Sequence, residues 1–576
     1  MGDIHLKING IDVEAPEGST LLQAAESVGI EIPTLCYMEG LPPLGACRVC
    51  MVEVEGQKAL QAACAYPAVE GMKAFTNTAK VREARSTIVK LLLSNHPRSC
   101  LSCPRNLNCE LQRLAERFGI REEKYPDLPL KDTVDRSTPS LIRDMRKCIN
   151  CRRCLAVCSR VQGVSALGLM DRGLDTRVVP AGDCSLGDTA CALCGQCALA
   201  CPVGAITEAE AIPIVWSALE NPDKHVVVQV APAVRMALGE IFGLPPGTAV
   251  TGQMVSGLRS LGFDKVFDTD FAADLTIVEE AHEFLARLKK GGKLPLITSC
   301  SPGWVKFAEH YYPEFLPNLS TCKSPHEMFG ALIKSYYAGK TGIDPARIFV
   351  VSVMPCTAKK FEIQRPELSA GEYPDVDAVI TTRELGVMFK QAGLELAELE
   401  AEDFDLPLGI STGAGLIFGA TGGVMEAALR TAADILGGGE APRLEFREVR
   451  GLEGVKEAEL NLGGQVLTVA VAHSLSQARK LLDAIKRGEK PYHFVEIMAC
   501  PGGCIGGGGQ PIPTNLEIMK KRVEGIYREE ERMALRRSHE NPAVQELYRN
   551  FLGKPNSEKA RHLLHTRYQP RHVPGF

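Results

Sequence analysis

The hydrophobic and polar positions change pattern along the chain. Residues 3–15 alternate around an Asn-Gly pair, which predicts a β-hairpin, and "STLLQAAESVGI" then has helical apolar spacing after a Ser-Thr start. Residues 79–118 are predicted to be helical, apart from the segment "NHPRSCLSCPRNLNC". From about residue 222, short apolar strands ("HVVVQVAP", "LPLITSC", "IFVVSVMPC", "VDAVITT") alternate with helices, which indicates α/β units with parallel sheets.

These patterns predict a multidomain chain of mixed α+β and α/β class. The expected parts are a β-grasp domain at 1–78, a small helical domain at 79–137, a domain with two cysteine runs at 138–210, a large α/β domain at 211–514 and a C-terminal helical segment at 515–576. The polar stretch "REEKYPDLPLKDTVDRSTPS" is the predicted linker within the first half. The charged last segment is expected to wrap the surface.

Composition narrows the class of protein. The net charge of -5 over 576 residues gives no reason to expect nucleic acid or an anionic membrane as a partner. The start "MGDIHLKINGIDVE" lacks the apolar core of a signal peptide, and no run of about 18 apolar residues occurs, so we expect a cytoplasmic chain without a membrane span. In a reducing compartment, the 21 cysteines indicate metal sites rather than disulfides.

The strongest motif is a doubled cysteine run. Its two C-x2-C-x2-C-x3-C repeats match the two-cluster bacterial ferredoxins, in which the fourth cysteine of each run binds the other cluster. We therefore predict one [4Fe-4S] cluster on Cys148, Cys151, Cys154 and Cys201, and a second on Cys191, Cys194, Cys197 and Cys158. Cys184 lies outside this pattern and is predicted to be structural.

Two further cysteine groups precede this run. Cys36, Cys47, Cys50 and Cys64 suit a [2Fe-2S] cluster in loops around the small β domain, with zinc as the alternative because the spacing is not that of plant-type ferredoxins. His96, Cys100, Cys103 and Cys109 suit zinc or a [4Fe-4S] cluster with one imidazole ligand. Their position between two redox modules favours the cluster.

Three motifs follow apolar strands in the second half: "TSCSPGW" (298–304), "MPCTAKKFE" (354–362) and "EIMACPGGCIGGGGQP" (496–511). Open α/β sheets place their sites at strand ends, so we expect these motifs to converge there. Cys356, Cys500 and Cys504 would bind a cluster, and glycines 502–503 and 506–509 would let the backbone approach a bulky inorganic group.

With these motifs the chain resembles the [FeFe] hydrogenases over essentially its whole length, including "TTRELG", "GATGGVMEAALR" and "RRSHENPAVQELY". The first half also resembles the large iron–sulfur subunit of respiratory complex I, but this likeness does not extend over 222–576. The hydrogenase resemblance implies the reaction 2H⁺ + 2e⁻ ⇌ H₂. It implies an H-cluster, in which a [4Fe-4S] cubane is joined through a cysteine sulfur to a two-iron unit with CO, cyanide and azadithiolate ligands.

The resemblance also implies residue roles. Cys504 matches the bridging cysteine, and Cys356 and Cys500 match cubane ligands. Positions that match the pocket of the two-iron unit are Ala231, Pro232, Lys359, Met354, Met498, Phe418 and Pro325. Lys359 would donate charge-assisted hydrogen bonds to a cyanide nitrogen.

Two pocket positions depart from the commonest family pattern. Ala233 stands where a serine often donates to cyanide, and His326 stands where a glutamine is common. Because histidine titrates near neutral pH, His326 would make activity sensitive to pH. The alternative is a neutral, hydrogen-bonded imidazole.

A proton path is implied as well. "TIVEEAHEFLARL" places Glu280 and Glu283 three apart on one helix face. With Ser320 and Arg287 they match the family's path, which ends at a cysteine. The alternative for either glutamate is a solvated helix face.

The first motif has one cysteine where the family usually has two. Cys300 falls on the proton relay, and Ser301 falls on a cubane ligand. A thiol suits a relay, whereas a hydroxyl is a poor ligand for iron–sulfur clusters. Three arrangements are open: Cys300 ligates the cubane while Ser301 lies near the relay, Ser301 ligates through oxygen, or the fourth ligand is not from the protein. The first is favoured because retaining the cluster is the harder requirement.

The resemblance leaves the electron partner open. A free-standing enzyme would use ferredoxin, whereas a subunit of an NAD(H)-linked, electron-bifurcating complex would need partner subunits with flavin and iron–sulfur groups, since this sequence has no Rossmann or flavin signature. Motif variants such as "TSCSPGW" favour the complex. An iron–sulfur assembly relative would lack the intact third motif, and a hydrogen sensor would usually carry a signalling domain.

Overall fold

The structure is a computed structural model and describes residues 2–121, 125, 134–369, 371–437, 445–462 and 464–572. Most of the predicted linker at 121–140, namely residues 122–124 and 126–133, lies outside the described residues, as do residues 573–576 of the last segment.

A five-stranded sheet forms the start of the chain. Its strands, in spatial order, are Ile11–Pro16, Asp3–Ile8, Lys73–Phe75, Met51–Val54 and Gln61–Ala62. The first two form the predicted antiparallel hairpin, while Asp3–Ile8 runs parallel to Lys73–Phe75. The helix Leu21–Glu26 packs under the sheet and begins with a capping box between Thr20 and Gln23, which explains its start.

Two helices carry the next segment. Ala79–Ser94 and Glu110–Arg117 flank a 3₁₀ turn at Cys100–Ser102, so the helical prediction with an interruption is right in outline. Arg85 fastens the first helix to the sheet by donating to the Met51 carbonyl at 3.0 Å and 2.7 Å.

The segment with the doubled cysteine run is built from short elements. The strands are Val134–Asp135, Leu141–Asp144, Leu167–Met170, Arg177–Pro180 and Ile206–Glu208, and the helices are Arg153–Ala156, which continues as the π-helix Val157–Val161, and Gln196–Ala200. The strands form one three-stranded and one two-stranded sheet. Such short elements leave the cysteines in loops that turn back on each other.

The large domain contains two four-stranded sheets. The first is wholly parallel and has the order Lys265–Asp268, His225–Val230, Ile348–Met354, Ala378–Thr381. The second has the order Leu296–Ile297, Phe494–Met498, Gln465–His473, Val455–Leu462, and its last two strands are antiparallel. The expectation of parallel sheets is therefore wrong for this pair, because the two residues between these strands are too few for a parallel crossover.

Helices cover both sheets. They are Ile212–Leu219, Thr251–Ser260, Thr269–Lys290, Pro302–Tyr311, Pro325–Leu332, Ala338–Thr341, Lys359–Glu362, Thr382–Gln391, Gly413–Leu416, Gly423–Gly437 and Leu475–Lys486. The helix Thr269–Lys290 is buried along most of its length and lies between the two cores. No helix among the described residues is long and apolar enough to cross a membrane.

The last segment forms helices Leu516–Arg532, Pro542–Leu547 and Glu558–Leu564. It does more than wrap the surface. Ile526 and Leu564 are fully buried, and they complete the hydrophobic cores beside the second and the first sheet respectively. The buried apolar residues of this segment are separated by charged residues, so the sequence pattern did not indicate their burial.

Arg522 attaches the helix Leu516–Arg532 to the third cysteine motif. Its guanidinium is fully buried, binds Glu240 through two hydrogen bonds of 2.7 Å, and donates to the Ile505 carbonyl at 2.7 Å. The hydrogen bond to Ile505 thus joins the segment to the loop that holds Cys504, and the ion pair joins it to Glu240 in the large domain.

We predict that Arg522→Gln destabilises this junction by about 3 kcal/mol, because Glu240 loses its partner inside the protein. Thermal unfolding and limited proteolysis of the last segment measure the effect. Arg528→Gln is the matched control, since Arg528 is exposed on the same helix. Equal stability of the two variants would contradict the prediction.

Candidate functional site

One buried cavity lies where strands of both sheets end. It follows His225–Val230 and Ile348–Met354 of the first sheet, and Leu296–Ile297 and Phe494–Met498 of the second. The cavity leaves about 80 Å³ for the centre of a water-sized molecule. Its walls are mainly apolar, and the three predicted motifs converge on it. Residues from the prediction that line it are Ala231, Pro232, Cys300, Ser301, Pro325, His326, Met354, Cys356, Lys359, Phe418, Met498, Cys500 and Cys504.

Three cysteines come together on one side of this cavity. Burial raises the pKa of the Cys500 thiol, and the charges of Cys356 and Cys504 raise it further. Burial likewise raises the pKa of Cys504 to about 12, with Cys356 as the next cause. Each thiol therefore lies within electrostatic reach of another. Three soft donors converging in a dry space form a set that an iron–sulfur cluster fits.

Glycines allow the backbone to pass close to this side. Gly503 has a φ of +85°, and a Cβ there would come within 2.7 Å of the Thr421 nitrogen. A Cβ on Gly508 would come within 2.3 Å of the Cys194 carbonyl oxygen. The glycine-rich motif is therefore needed both for its backbone conformation and for contact with the second cysteine run.

Lys359 lies close to Cys356 and is paired. Its ammonium donates to Glu362 at 2.6 Å and to the Cys300 carbonyl at 3.3 Å. Glu362 is buried, but the nearby Lys359 charge is the main influence that holds its pKa down, to about 2, against the opposing effect of burial. The cavity thus has one fixed positive charge on its wall, suited to an anionic ligand.

His326 belongs to the same cluster of charges. Its Nε2 donates to Glu362 at 2.7 Å, and its Nδ1 lies 3.2 Å from the Ser352 hydroxyl. Burial and the Lys359 charge lower its pKa to about 4. The structure thus favours a neutral, hydrogen-bonded imidazole over the hypothesis that His326 makes activity sensitive to pH.

Ala233 differs from its predicted neighbours. It is fully buried in the hydrophobic core beside the second sheet, and it is absent from the described residues that line the cavity. Its carbonyl accepts from Gln510 at 3.2 Å. Its methyl group can offer no hydrogen bond, as the sequence indicated.

The predicted proton path follows the helix Thr269–Lys290. Arg287 donates to Glu283 at 2.5 Å, and the Ser320 hydroxyl lies 3.5 Å from the other oxygen of Glu283. Burial raises the pKa of Glu280 to about 8, against a lowering hydrogen bond from Ser320. The order Arg287, Glu283, Ser320, Glu280 therefore leads inward from the surface.

Cys300 and Ser301 face different neighbours. Burial raises the pKa of the Cys300 thiol well above its ordinary value, and the charge of Glu280 is the next cause. The Ser301 hydroxyl accepts from the Ala499 backbone at 3.2 Å, next to Cys500. The charge of Cys504 is the next cause that raises the pKa of Cys300, so Cys300 lies within reach of both the acidic path and Cys504, whereas Ser301 lies beside Cys500.

Two smaller cavities lie in the segment with the doubled run. One is lined by Cys148, Cys151, Cys154 and Cys201, and the other by Cys158, Cys191, Cys194 and Cys197. Each of these sets is one that was predicted to bind a single [4Fe-4S] cluster. The second set adjoins the large cavity, because Cys194 lines both and its carbonyl lies 3.9 Å from the Cys500 sulfur.

The first cysteine group is buried and in mutual contact. Hydrogen bonds join Cys36 to Cys47 and Cys64, and join Cys50 to Cys64, so four sulfurs meet in one place, as a [2Fe-2S] cluster or zinc requires. Cys184, by contrast, is exposed and donates to the Ala181 carbonyl.

His96 lies beside Cys100, Cys103 and Cys109 in the chain. Burial lowers the pKa of His96 to about 4, and its Nδ1 is buried without a hydrogen-bond partner among the described residues. A buried imidazole nitrogen of this kind fits a ligand. Cys100 is exposed, so this group reaches the surface.

Sequence reasoning missed several residues of the cavity wall. Thr269 and Ala273 line it one helical turn apart, on the helix that carries Glu280. Helical spacing back from Glu280 was a usable signal for both. Glu362 was not predicted as a partner of Lys359, although its spacing of three from Lys359 favours pairing.

Family models match almost every part of the chain. "Iron only hydrogenase large subunit, C-terminal domain" matches 224–508, and "Iron hydrogenase small subunit" matches 516–571. The first half matches "2Fe-2S iron-sulfur cluster binding domain" at 2–79, "NADH-ubiquinone oxidoreductase-G iron-sulfur binding region" at 85–124 and "4Fe-4S dicluster domain" at 147–205.

Individual proteins are similar over the whole length. The NADP-reducing hydrogenase subunit HndD of Solidesulfovibrio fructosivorans is 52% identical, over 99% of this chain and 100% of its own. Iron hydrogenase 1 of Clostridium pasteurianum is 43% identical over 98% and 99%. A solved structure of a variant of apo [FeFe]-hydrogenase HydA1 from Chlamydomonas reinhardtii is 45% identical with a TM-score of 0.57, over 62% of this chain and 98% of that one. The chain therefore belongs to the iron-only, or [FeFe], hydrogenase family, with amino-terminal domains of the [2Fe-2S] and [4Fe-4S] kinds.

Proposed function

We propose that this chain catalyses 2H⁺ + 2e⁻ ⇌ H₂ in its central cavity. One observation carries the proposal: three cysteines and the Lys359 ammonium line one buried, mainly apolar space, and Cys300 on its wall lies within electrostatic reach of Glu280. When bound there, an H-cluster supplies the iron at which protons and electrons combine. The same space excludes bulk water, which strengthens the influence of each fixed charge.

Each residue has a defined task in this proposal. Cys356, Cys500 and Cys504 hold the cluster, and Lys359 orients it by donating hydrogen bonds to an anionic ligand. Burial keeps Glu280 protonated near neutral pH, so it can pass a proton inward and recover one through Ser320 from Glu283.

We further propose that Cys300 carries the proton and does not hold the cubane. The support is its place towards Glu280, whereas Ser301 lies beside Cys500 at the position of the missing thiolate. The cubane then has three cysteine ligands and a fourth position at Ser301 that no protein sulfur fills.

Electrons would reach this cavity through one [2Fe-2S] and three [4Fe-4S] clusters. Support comes from the four groups of cysteines, with His96, and from the contact of Cys194 with Cys500 at the inner end. The exposed Cys100 marks a group that an outside donor can approach. The domain limits proposed from the sequence at 78 and 137 separate these groups from one another, the limit at 210 separates them from the catalytic part, and the limit at 514 separates that part from the last segment.

The electron partner is proposed to be a complex linked to NAD(P)(H). The similar protein from Solidesulfovibrio fructosivorans is named as a subunit that reduces NADP. Because this sequence has no dinucleotide-binding motif, flavin and nucleotide would lie on partner subunits, with ferredoxin as a second donor. The alternative is a free-standing ferredoxin hydrogenase. The many cysteine thiols suit a reducing cytoplasm.

The reaction is tested with the fully matured chain. We expect H₂ production from a reduced viologen dye, together with infrared bands of CO and cyanide. Cys504→Ala should lose both signals, because the bridge to the two-iron unit is removed. A matured sample that shows neither bands nor H₂ would refute the proposed function.

Glu280→Gln should lower H₂ turnover roughly 100-fold or more, because the amide cannot release a proton. The infrared bands of CO and cyanide should be unchanged, which shows that the cluster is intact. Glu314→Gln is the control, because Glu314 is exposed and lies outside the helix that carries Glu280. Full activity of Glu280→Gln would exclude this role.

Cys300→Ala and Ser301→Cys separate the relay from the ligand. With Cys300 as relay, Cys300→Ala keeps the infrared bands and stops turnover. Ser301→Cys, which supplies a fourth soft donor, should increase iron retention during dilution. Loss of the bands in Cys300→Ala would instead make Cys300 a ligand.

A further inference from the structure

A chain of hydrogen bonds leaves Glu283 towards the last segment of the protein. The Thr321 hydroxyl lies 2.9 Å from Glu283 Oε2 and 2.7 Å from His565 Nδ1. His565 Nε2 lies 3.1 Å from Glu279 Oε2. This chain shares Glu283 with the route through Ser320 to Glu280 and leaves it through Thr321 instead.

Backbone pairing holds His565 in place. His565 forms an antiparallel backbone bridge with Cys322. On either side of this bridge, the Lys323 nitrogen donates to the Leu564 carbonyl at 2.8 Å, and the Thr566 nitrogen donates to the Thr321 carbonyl at 2.7 Å. The imidazole is therefore fixed by a short two-stranded contact. It does not hang from a loose surface helix.

Glu279 fixes the far side of the imidazole. It accepts from the Tyr548 hydroxyl at 2.5 Å and from the Asn556 backbone at 2.7 Å. With Glu279 as a carboxylate, His565 Nε2 must carry a hydrogen to complete its bond. Only the hydrogen on Nδ1 is then free to vary.

The Thr321 hydroxyl has one hydrogen for two neighbours. If His565 is an imidazolium, Nδ1 donates to Thr321 and Thr321 donates to a Glu283 carboxylate. If His565 is neutral, a protonated Glu283 donates to Thr321 and Thr321 donates to Nδ1. Both arrangements satisfy all three groups, and they differ by one proton moved from His565 to Glu283.

Arg287, the other partner of Glu283, cannot make such an exchange. A guanidinium does not lose its proton in proteins, whereas an imidazole is the side chain that changes charge between about pH 5 and 8. The imidazole also keeps contact with water, since the His565 side chain is 7% exposed. The ionisable groups that face it are Glu279 and Glu283 from one helix, Cys322 from the paired strand and Tyr548 from the last segment.

We propose that His565 is a proton-transfer group that acts through Thr321 and Glu283, and that it gives the interior acids a second exchange route with solvent. One step moves the Nδ1 proton to the Thr321 oxygen while the Thr321 proton passes to Glu283 Oε2. When the bond between Nδ1 and Thr321 opens, Nδ1 takes another proton from a water molecule at the exposed edge of the ring, and no electron moves. The use of these protons in making H₂ rests on the proposed function.

Three variants test the route in the matured holoenzyme. His565→Gln and Thr321→Val should lower H₂ turnover by about tenfold between pH 6 and pH 8. The solvent isotope effect should rise in both. Thr321→Ser restores the hydroxyl and should restore turnover, and added imidazole should partly rescue His565→Gln.

His562→Gln is the matched control, because His562 is exposed on the helix that precedes His565. A second measurement does not depend on turnover. The infrared band of the protonated Glu283 carboxyl, identified by its loss in Glu283→Gln, should shift its pH midpoint in His565→Gln and stay unchanged in His562→Gln.

Wild-type turnover in both His565→Gln and Thr321→Val across this pH range would overturn the proposal, as would a loss that neither Thr321→Ser nor imidazole repairs. An unshifted carboxyl midpoint in His565→Gln would also overturn it. If the wild-type holoenzyme made no H₂, the proposed function would fail, while the carboxyl midpoint would still decide whether His565 and Glu283 share a proton.

Discussion

The architecture depends on one close backbone contact, that of Gly508 with the carbonyl of Cys194. No side chain fits between them, since a Cβ on Gly508 would lie 2.3 Å from that oxygen. This contact joins the second cysteine run to the third motif of the catalytic part, and Gln196 strengthens it by donating to the Gly506 carbonyl at 2.8 Å. The two cysteine groups are thereby held at a fixed separation by backbone atoms, which move less than side chains.

Few charged side chains lie around the cavity beside this contact. The pair of Lys359 and Glu362 balances itself, and His326 stays neutral beside it, so the wall keeps a directed hydrogen-bond donor without a large net charge. Beyond Cys300 and outside the lining of the cavity, the buried Glu280 holds its proton because burial raises its pKa to about 8. The fixed charge of Lys359 and the mobile proton of Glu280 are therefore held by different parts of the structure.

The amount that the sequence could predict differs between parts of the molecule. Strands such as Ile348–Met354 were predicted because apolar runs and motif spacing are local properties. The grouping of Cys158 with the second run followed from a known spacing rule. The partners of His326 could not be predicted, because Ser352 and Glu362 reach it from other elements. Nor could the place of His565, since its contacts with Thr321 and Glu279 span more than 200 residues.

The segment 516–571 matches a family model of a separate small subunit, yet here it continues the catalytic chain. A covalently attached partner experiences an effective concentration of about millimolar, so it stays docked even when its own contacts are weak. Docking of this segment onto the catalytic part therefore does not depend on the concentration of the protein in the cell. Selection can then act on what the segment contributes to the interior, such as the guanidinium of Arg522 beside Ile505, without first having to secure its affinity.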